Sequence, residues 1–165
     1  MVSLPIPRGP QLIIQSVSGM HITPLGWADG DVSAVVWRDA AASAYKMSQW
    51  ELIPEVGYGD RVVRIRNAAY NKDTGAFDRS LAIVGETPES GAAVLSSKSD
   101  SKSEGQLWRL VSMDSAQADF VIKPLGVDGL VVATRQSYQG GNAVLQLEEV
   151  GPWTDQFWRW QKAYG

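Results

Sequence analysis

The stretch Gln156-Phe157-Trp158-Arg159-Trp160 is matched by Gln106-Leu107-Trp108-Arg109-Leu110 and, less closely, by Ser48-Gln49-Trp50-Glu51-Leu52. Fourteen residues before each tryptophan stands a valine. These are Val36, Val94 and Val144, inside the apolar triplets Val35-Val36-Trp37, Ala93-Val94-Leu95 and Ala143-Val144-Leu145. Two positions after each tryptophan comes another apolar side chain, Leu52, Leu110 or Trp160, the period of a strand with one buried face. The chain is therefore three copies of a strand-built unit. Trp50 to Trp108 is 58 residues and Trp108 to Trp158 is 50, too long for a leucine-rich or ankyrin repeat and enough for about four short strands with turns.

Unit one, about 9–55, reads as strands over Gln11–Gln15, Met20–Thr23 and Ser33–Arg38 and a Trp50 strand ending at Pro54, broken by Ser16-Val17-Ser18-Gly19 and Asp29-Gly30-Asp31. Unit two, about 56–112, opens after Gly57-Tyr58-Gly59-Asp60 with the alternating strand Arg61–Arg66. Its next apolar strand begins only near Leu81. Ile65 to Leu81 is 16 residues, against 8 from Ile14 to Ile22 and 9 from Ile122 to Val131, so unit two carries an insertion of about seven residues around Asn71-Lys72-Asp73-Thr74-Gly75. Ser96–Gly105, rich in Ser, Lys, Asp and Glu, reads as a solvated loop. Unit three, about 113–162, runs through Phe120–Lys123, Leu130–Thr134 and Ala143–Leu147 to the Trp158 strand. Twelve strands in three sets of four, with no amphipathic helix, predict an all-β fold: a β-trefoil of three four-stranded repeats with pseudo-three-fold symmetry, one domain over residues 1–165.

Composition narrows the function. A net charge of −3 and a pI near 5.1, with scattered arginines, argue against a nucleic-acid partner. No run approaches the roughly 18 apolar residues of a membrane span. With no cysteine and no basic-then-apolar start, a cytoplasmic location is the expectation, stability must come from packing, and thiolate metal sites are excluded. Seven tryptophans are the outlying figure; burying one, at roughly 150–250 Å² and about 25 cal/mol per Å², contributes up to ~4–6 kcal/mol before entropy is counted.

Asn142-Ala143-Val144-Leu145-Gln146-Leu147 followed by Asp155-Gln156-Phe157-Trp158, together with Gln106-Leu107-Trp108, resembles the ricin B-type lectin repeat, whose signature is an Asn/Gly-Ala/Pro-Val strand and then Gln-x-Trp. The likeness spans the three units. Lacking cysteine, the chain is closer in character to fungal ricin-B-like lectins and mushroom trefoil protease inhibitors. The resemblance implies the trefoil fold, glycans or glycoproteins as partners, and a role in defence. Two departures stand against it. The aspartate that ends the second strand in sugar-binding repeats is replaced here near Thr23, Ala82 and Val132 or Ala133, and unit one has its glutamine at Gln49, one residue from the expected position.

A sugar site needs an aromatic face for the C–H side of the ring and short polar groups for its hydroxyls. In unit three Tyr138, Asn142, Trp153, Asp155 and Gln156 supply them; in unit one a second candidate set is Asp29, Trp37 and Gln49, with Trp27 and Tyr45 nearby. The competing explanations are that Gln156 and Gln106 tie down hairpin backbone and that Trp37 is core. Unit two has no loop aromatic beside its Gln-x-Trp and reads as silent. Catalysis finds little: His21 is the single histidine, in an apolar strand, and Glu148-Glu149 point to opposite faces of a strand. The chain reads as a non-enzyme without cofactor or metal. The alternative function is protease inhibition through the inserted loop, Asn71 suiting an asparagine-specific cysteine protease and Lys72 or Arg79 a trypsin-like one.

Overall fold

The computed structural model describes residues 6–26, 30–37, 46–59, 61–83, 85, 87–112, 119–134, 138–139 and 142–163. Unit one contributes β1 (Gln11–Gln15), β2 (His21–Pro24), β3 (Val32–Trp37) and β4 (Trp50–Pro54). Unit two contributes β5 (Val62–Asn67), β6 (Arg79–Ile83), β7 (Val94–Lys98) and β8 (Leu107–Ser112). Unit three contributes β9 (Phe120–Pro124), β10 (Leu130–Ala133), β11 (Tyr138–Gln139), β12 (Asn142–Val144), β13 (Gln146–Glu149) and β14 (Trp158–Lys162). Among the described residues the only helical pieces are single 3-10 turns, each ahead of a repeat tryptophan: Lys46–Ser48, Glu104–Gln106 and Thr154–Gln156.

The first and last strands of each unit close a six-stranded antiparallel ring, β1–β4–β5–β8–β9–β14 and back to β1. Closure leaves no free edge in the barrel. The remaining hairpins, β2–β3, β6–β7 and β10–β13, cap it. They join to one another through Val32↔Ser96, Ala143↔Val36 and the bridge Ala93↔Gln146. This is a β-trefoil.

The three repeat tryptophans are fully buried in one core cluster, and each makes the same hydrogen bond. Trp50 Nε1 donates to the Ile22 carbonyl at 2.9 Å, Trp108 Nε1 to Leu81 at 2.9 Å and Trp158 Nε1 to Val132 at 3.1 Å. The indole thus fills the barrel and also satisfies a carbonyl of its own unit's second strand, which explains why tryptophan recurs where any large apolar residue would fill the volume.

Three expectations need correcting. Unit three has six short strands instead of four: at Leu145 the chain changes partner from β3 to β10, and β11 pairs with β12 beyond it. Leu145 N–H donates to Ala34 O at 2.8 Å and Leu145 O accepts from Val94 N–H at 3.0 Å. It marks the junction where the three caps meet. Ser96–Lys98 belongs to β7 and not to a loop; Ser96 is buried because it is paired on both sides, with Leu81 and with Val32, while Lys98 at the strand's end is exposed. The insertion is six residues and not seven, since residues 68–78 join β5 to β6 where 16–20 and 125–129 serve in the other units, and β6 starts already at Arg79.

Candidate functional site

Trp153 lies in the loop between β13 and β14, and how that loop is held decides what the indole can do. Gln156 is 1% exposed, and both ends of its amide bond backbone across the loop: Nε2 donates to Glu149 O at 2.7 Å and Oε1 accepts from Gly151 N–H at 3.1 Å. Gln106 plays the same part in unit two, where Nε2 donates to Lys98 O at 2.7 Å and Oε1 accepts from Asp100 N–H at 2.8 Å. The glutamine of Gln-x-Trp is a loop clamp, not a group offered to a ligand. Gln49 is likewise buried.

With its base fixed, the loop turns Trp153 outward. The side chain is 46% exposed, and Val150 and Pro152 beside it are exposed too. The benzo edge of the indole, Cε3 and Cζ3, occupies the volume that a Cβ on residue 151 would take, so only glycine fits beneath it. Asp155 is half-buried in the Thr154–Gln156 turn, and its carbonyl accepts from Gln15 Nε2 at 3.1 Å. The same Nε2 reaches Thr134 Oγ1 at 3.2 Å, which ties the loop to both β1 and the end of β10.

Tyr138 and Asn142 lie elsewhere. They are on the β11–β12 hairpin, separated from Glu149 by a run extended on both sides of Leu145, roughly 20 Å at about 3.3 Å per residue. The hairpin lies beside unit one instead: Ala143 pairs with Val36 and Val144 with Val35, so β12 runs along β3, the strand that ends at Trp37. Trp37 is 44% exposed, so it is not core; its ring lies 6.4 Å from that of the buried His21, its partner on β2. The structure therefore regroups the candidates. Trp153, Asp155 and Gln156 share one loop, while Trp37 and Asn142, from different units, stand on the paired strands β3 and β12. Asp29, Trp27 and Tyr45 lie outside the described residues.

The positions where sugar-binding repeats carry an aspartate are here closed. Thr23, Ala82, Val132 and Ala133 are all buried, and Thr23 Oγ1 lies 3.2 Å from Ser48 Oγ. Unit two's counterpart of the Trp153 loop lines a polar depression of about 430 Å³ with Asp100, Lys102, Ser103, Glu104 and Gly105 and has no aromatic. Beneath it Arg64, buried, donates to Gln106 Oε1 at 2.7 Å, to Asp100 O at 3.0 Å and to Glu55 at 3.1 Å.

The inserted loop is exposed but ordered by its own Asn71. Asn71 Oδ1 accepts from Asp73 and Thr74 N–H at 2.9 and 3.2 Å, and its backbone exchanges bonds with Ala76 O and Gly75 N–H. Tyr70 at its base lies under the Arg66 guanidinium, 4.4 Å from the ring centre. Lys72 is exposed, and Arg79 Nη1 donates to Gly30 O at 3.1 Å, joining the base of the insertion to unit one.

Among solved structures the chain is similar to the designed three-fold symmetric protein ThreeFoil, with a TM-score of 0.74, 14% identity, and 93% of this chain and 98% of that one covered. It is similar also to a ricin B-like lectin of Macrolepiota procera solved in complex with lactose, with a TM-score of 0.68, 18% identity, and 96% and 99% covered. The chain has the β-trefoil fold of these structures. A third similar structure is 1,3Gal43A, an exo-β-1,3-galactanase of Clostridium thermocellum, with a TM-score of 0.72 and 20% identity; 97% of this chain matches 32% of that longer one. No family model matches the sequence, and no curated protein does.

Proposed function

We propose that this trefoil is a non-catalytic carbohydrate-binding protein whose principal site is the Trp153 loop. The observation that carries the reading is a half-exposed indole on a loop clamped from below by Gln156 and flanked by Asp155. An aromatic held rigidly stacks on the C–H face of a sugar without first losing its own rotamer freedom. The lactose complex of the similar Macrolepiota procera lectin makes a neutral disaccharide the first ligand to try.

Affinity for one sugar unit is expected to be weak. The buried Thr23, Ala82 and Val132 positions offer no carboxylate, and each missing charge-assisted hydrogen bond is worth about 1.5–3 kcal/mol. A single site then binds a monosaccharide near millimolar, about −4 kcal/mol, and gains from an extended glycan or from several sites. The test is a broad glycan array followed by titration of the tryptophan fluorescence. Trp153→Ala should remove binding and leave the fold intact. A blank array sinks the reading; binding that survives Trp153→Ala but is lost in Trp37→Ala moves the site to the paired strands β3 and β12.

The ordered insertion favours a second reading, protease inhibition. A loop pre-formed by Asn71 avoids the ordering cost that Gly75 would otherwise impose on binding. Yet Asn71 Oδ1 already serves the loop, so recognition of its carboxamide by an asparagine-specific protease would have to break those bonds. That makes Lys72 the better contact. A panel of trypsin-like and legumain-like proteases decides: inhibition lost in Lys72→Ala or Asn71→Ala supports the reading, and none at ten micromolar, on the order of −7 kcal/mol, removes it.

A further inference from the structure

The loop's one unusual residue is Gly151. Its φ lies outside the left-handed region, so its backbone does not require glycine, and its N–H bond to Gln156 Oε1 would survive any side chain but proline. What a side chain would meet first is Trp153, since the three atoms nearest an added Cβ are Cζ3, Cε3 and Cη2 of that indole. The glycine and the tryptophan interlock: one leaves a notch, the other fills it.

We propose that Gly151 is a positioning residue that fixes the orientation of the Trp153 indole and so sets which ligands the loop accepts. The benzo edge tucked against the residue 151 backbone leaves the ring as the end of an apolar strip with Val150 and Pro152. The ionisable side chains of this segment, Glu148, Glu149 and Asp155, are all carboxylates. A strip of that kind takes an uncharged pyranose by its C–H face and disfavours a sialylated or uronic one. This ligand class rests on the carbohydrate reading above; the interlock itself does not.

Gly151→Ala tests it, because the backbone tolerates alanine and the ring must leave. In the ligand-free protein the indole N–H resonance of Trp153, assigned by its absence in Trp153→Ala, should shift, and acrylamide quenching should rise. Gly151→Ala should also lower unfolding stability in the wild-type background and leave it unchanged when Trp153 is already alanine. With lactose and its sialylated counterpart as probes, Gly151→Ala should weaken lactose binding about tenfold or more, and the wild type should prefer lactose. An unmoved resonance, or an equal stability loss in both backgrounds, overturns the interlock. A moved ring with unchanged lactose affinity overturns the positioning role. If neither sugar binds the wild type, the carbohydrate reading fails while the resonance and the stability cycle still decide the interlock.

Discussion

Replacing Trp108 separates its two roles in the barrel. Trp108→Ala removes a fully buried indole and leaves a cavity in the core cluster that it shares with Ile65, Leu81, Leu110 and Ile122, and large aromatic truncations of this kind cost about 3–5 kcal/mol. Trp108→Phe keeps most of the ring but cannot donate to the Leu81 carbonyl, and a buried acceptor left without a partner costs about 1–3 kcal/mol. For a protein of 165 residues each kcal/mol is worth roughly 2–4 °C, so alanine should lower the melting temperature by about 6–20 °C and phenylalanine by about 2–12 °C. Urea unfolding followed by far-UV circular dichroism gives both values, provided the slope m is unchanged. Trp50 and Trp158, with the same bond and the same burial, should agree with Trp108 within about 1 kcal/mol. An alanine loss under 1 kcal/mol at any of the three, or a phenylalanine variant as stable as wild type, would refute the shared hydrogen-bonded core.

Gln156→Ala should cost about 1–3 kcal/mol, because the Glu149 carbonyl and Gly151 N–H lose their partner; hydrogen exchange at Gly151 should accelerate with it, and unchanged protection there would count against the clamp. Asn71→Ala should leave global stability within about 1 kcal/mol but open the exposed insertion to limited proteolysis at Lys72; a loop as resistant as wild type would mean that Asn71 does not order it.

The fold is legible in the sequence because its strongest signal is chemical as well as periodic. Tryptophan is needed at positions 50, 108 and 158 both for volume and for its N–H, so the residue type itself recurs. The partner change at Leu145 leaves no such trace: Ala143-Val144-Leu145-Gln146-Leu147 alternates like one strand, and which neighbour each half pairs with is a tertiary matter. Trp37 ends an apolar triplet whose other members are buried, so composition suggests core; its outward face follows from the register with His21 and Ala143. Asn142 and Trp153 are close in the repeat and therefore read as one site, but an extended strand carries one away from the other. The notch at Gly151 is invisible beforehand, since Gly-Pro-Trp reads as turn chemistry and the ring above it appears only in three dimensions.

The pairing of β1 with β14, from Gln11↔Lys162 to Gln15↔Trp158, has a consequence for the making of the protein. Among the described residues, β1 pairs before β14 exists only through the rung Gln11↔Trp50 and the one to β2 at Ile14↔His21. At 5–20 residues per second a ribosome needs on the order of ten seconds to pass from one strand to the other. Throughout that interval Leu12, Ile13 and Ile14, all buried in the finished barrel, stand on an open strand edge that could pair with another nascent chain. The last strand is thus the latch of the barrel, and its arrival ends the chain's exposure to self-association.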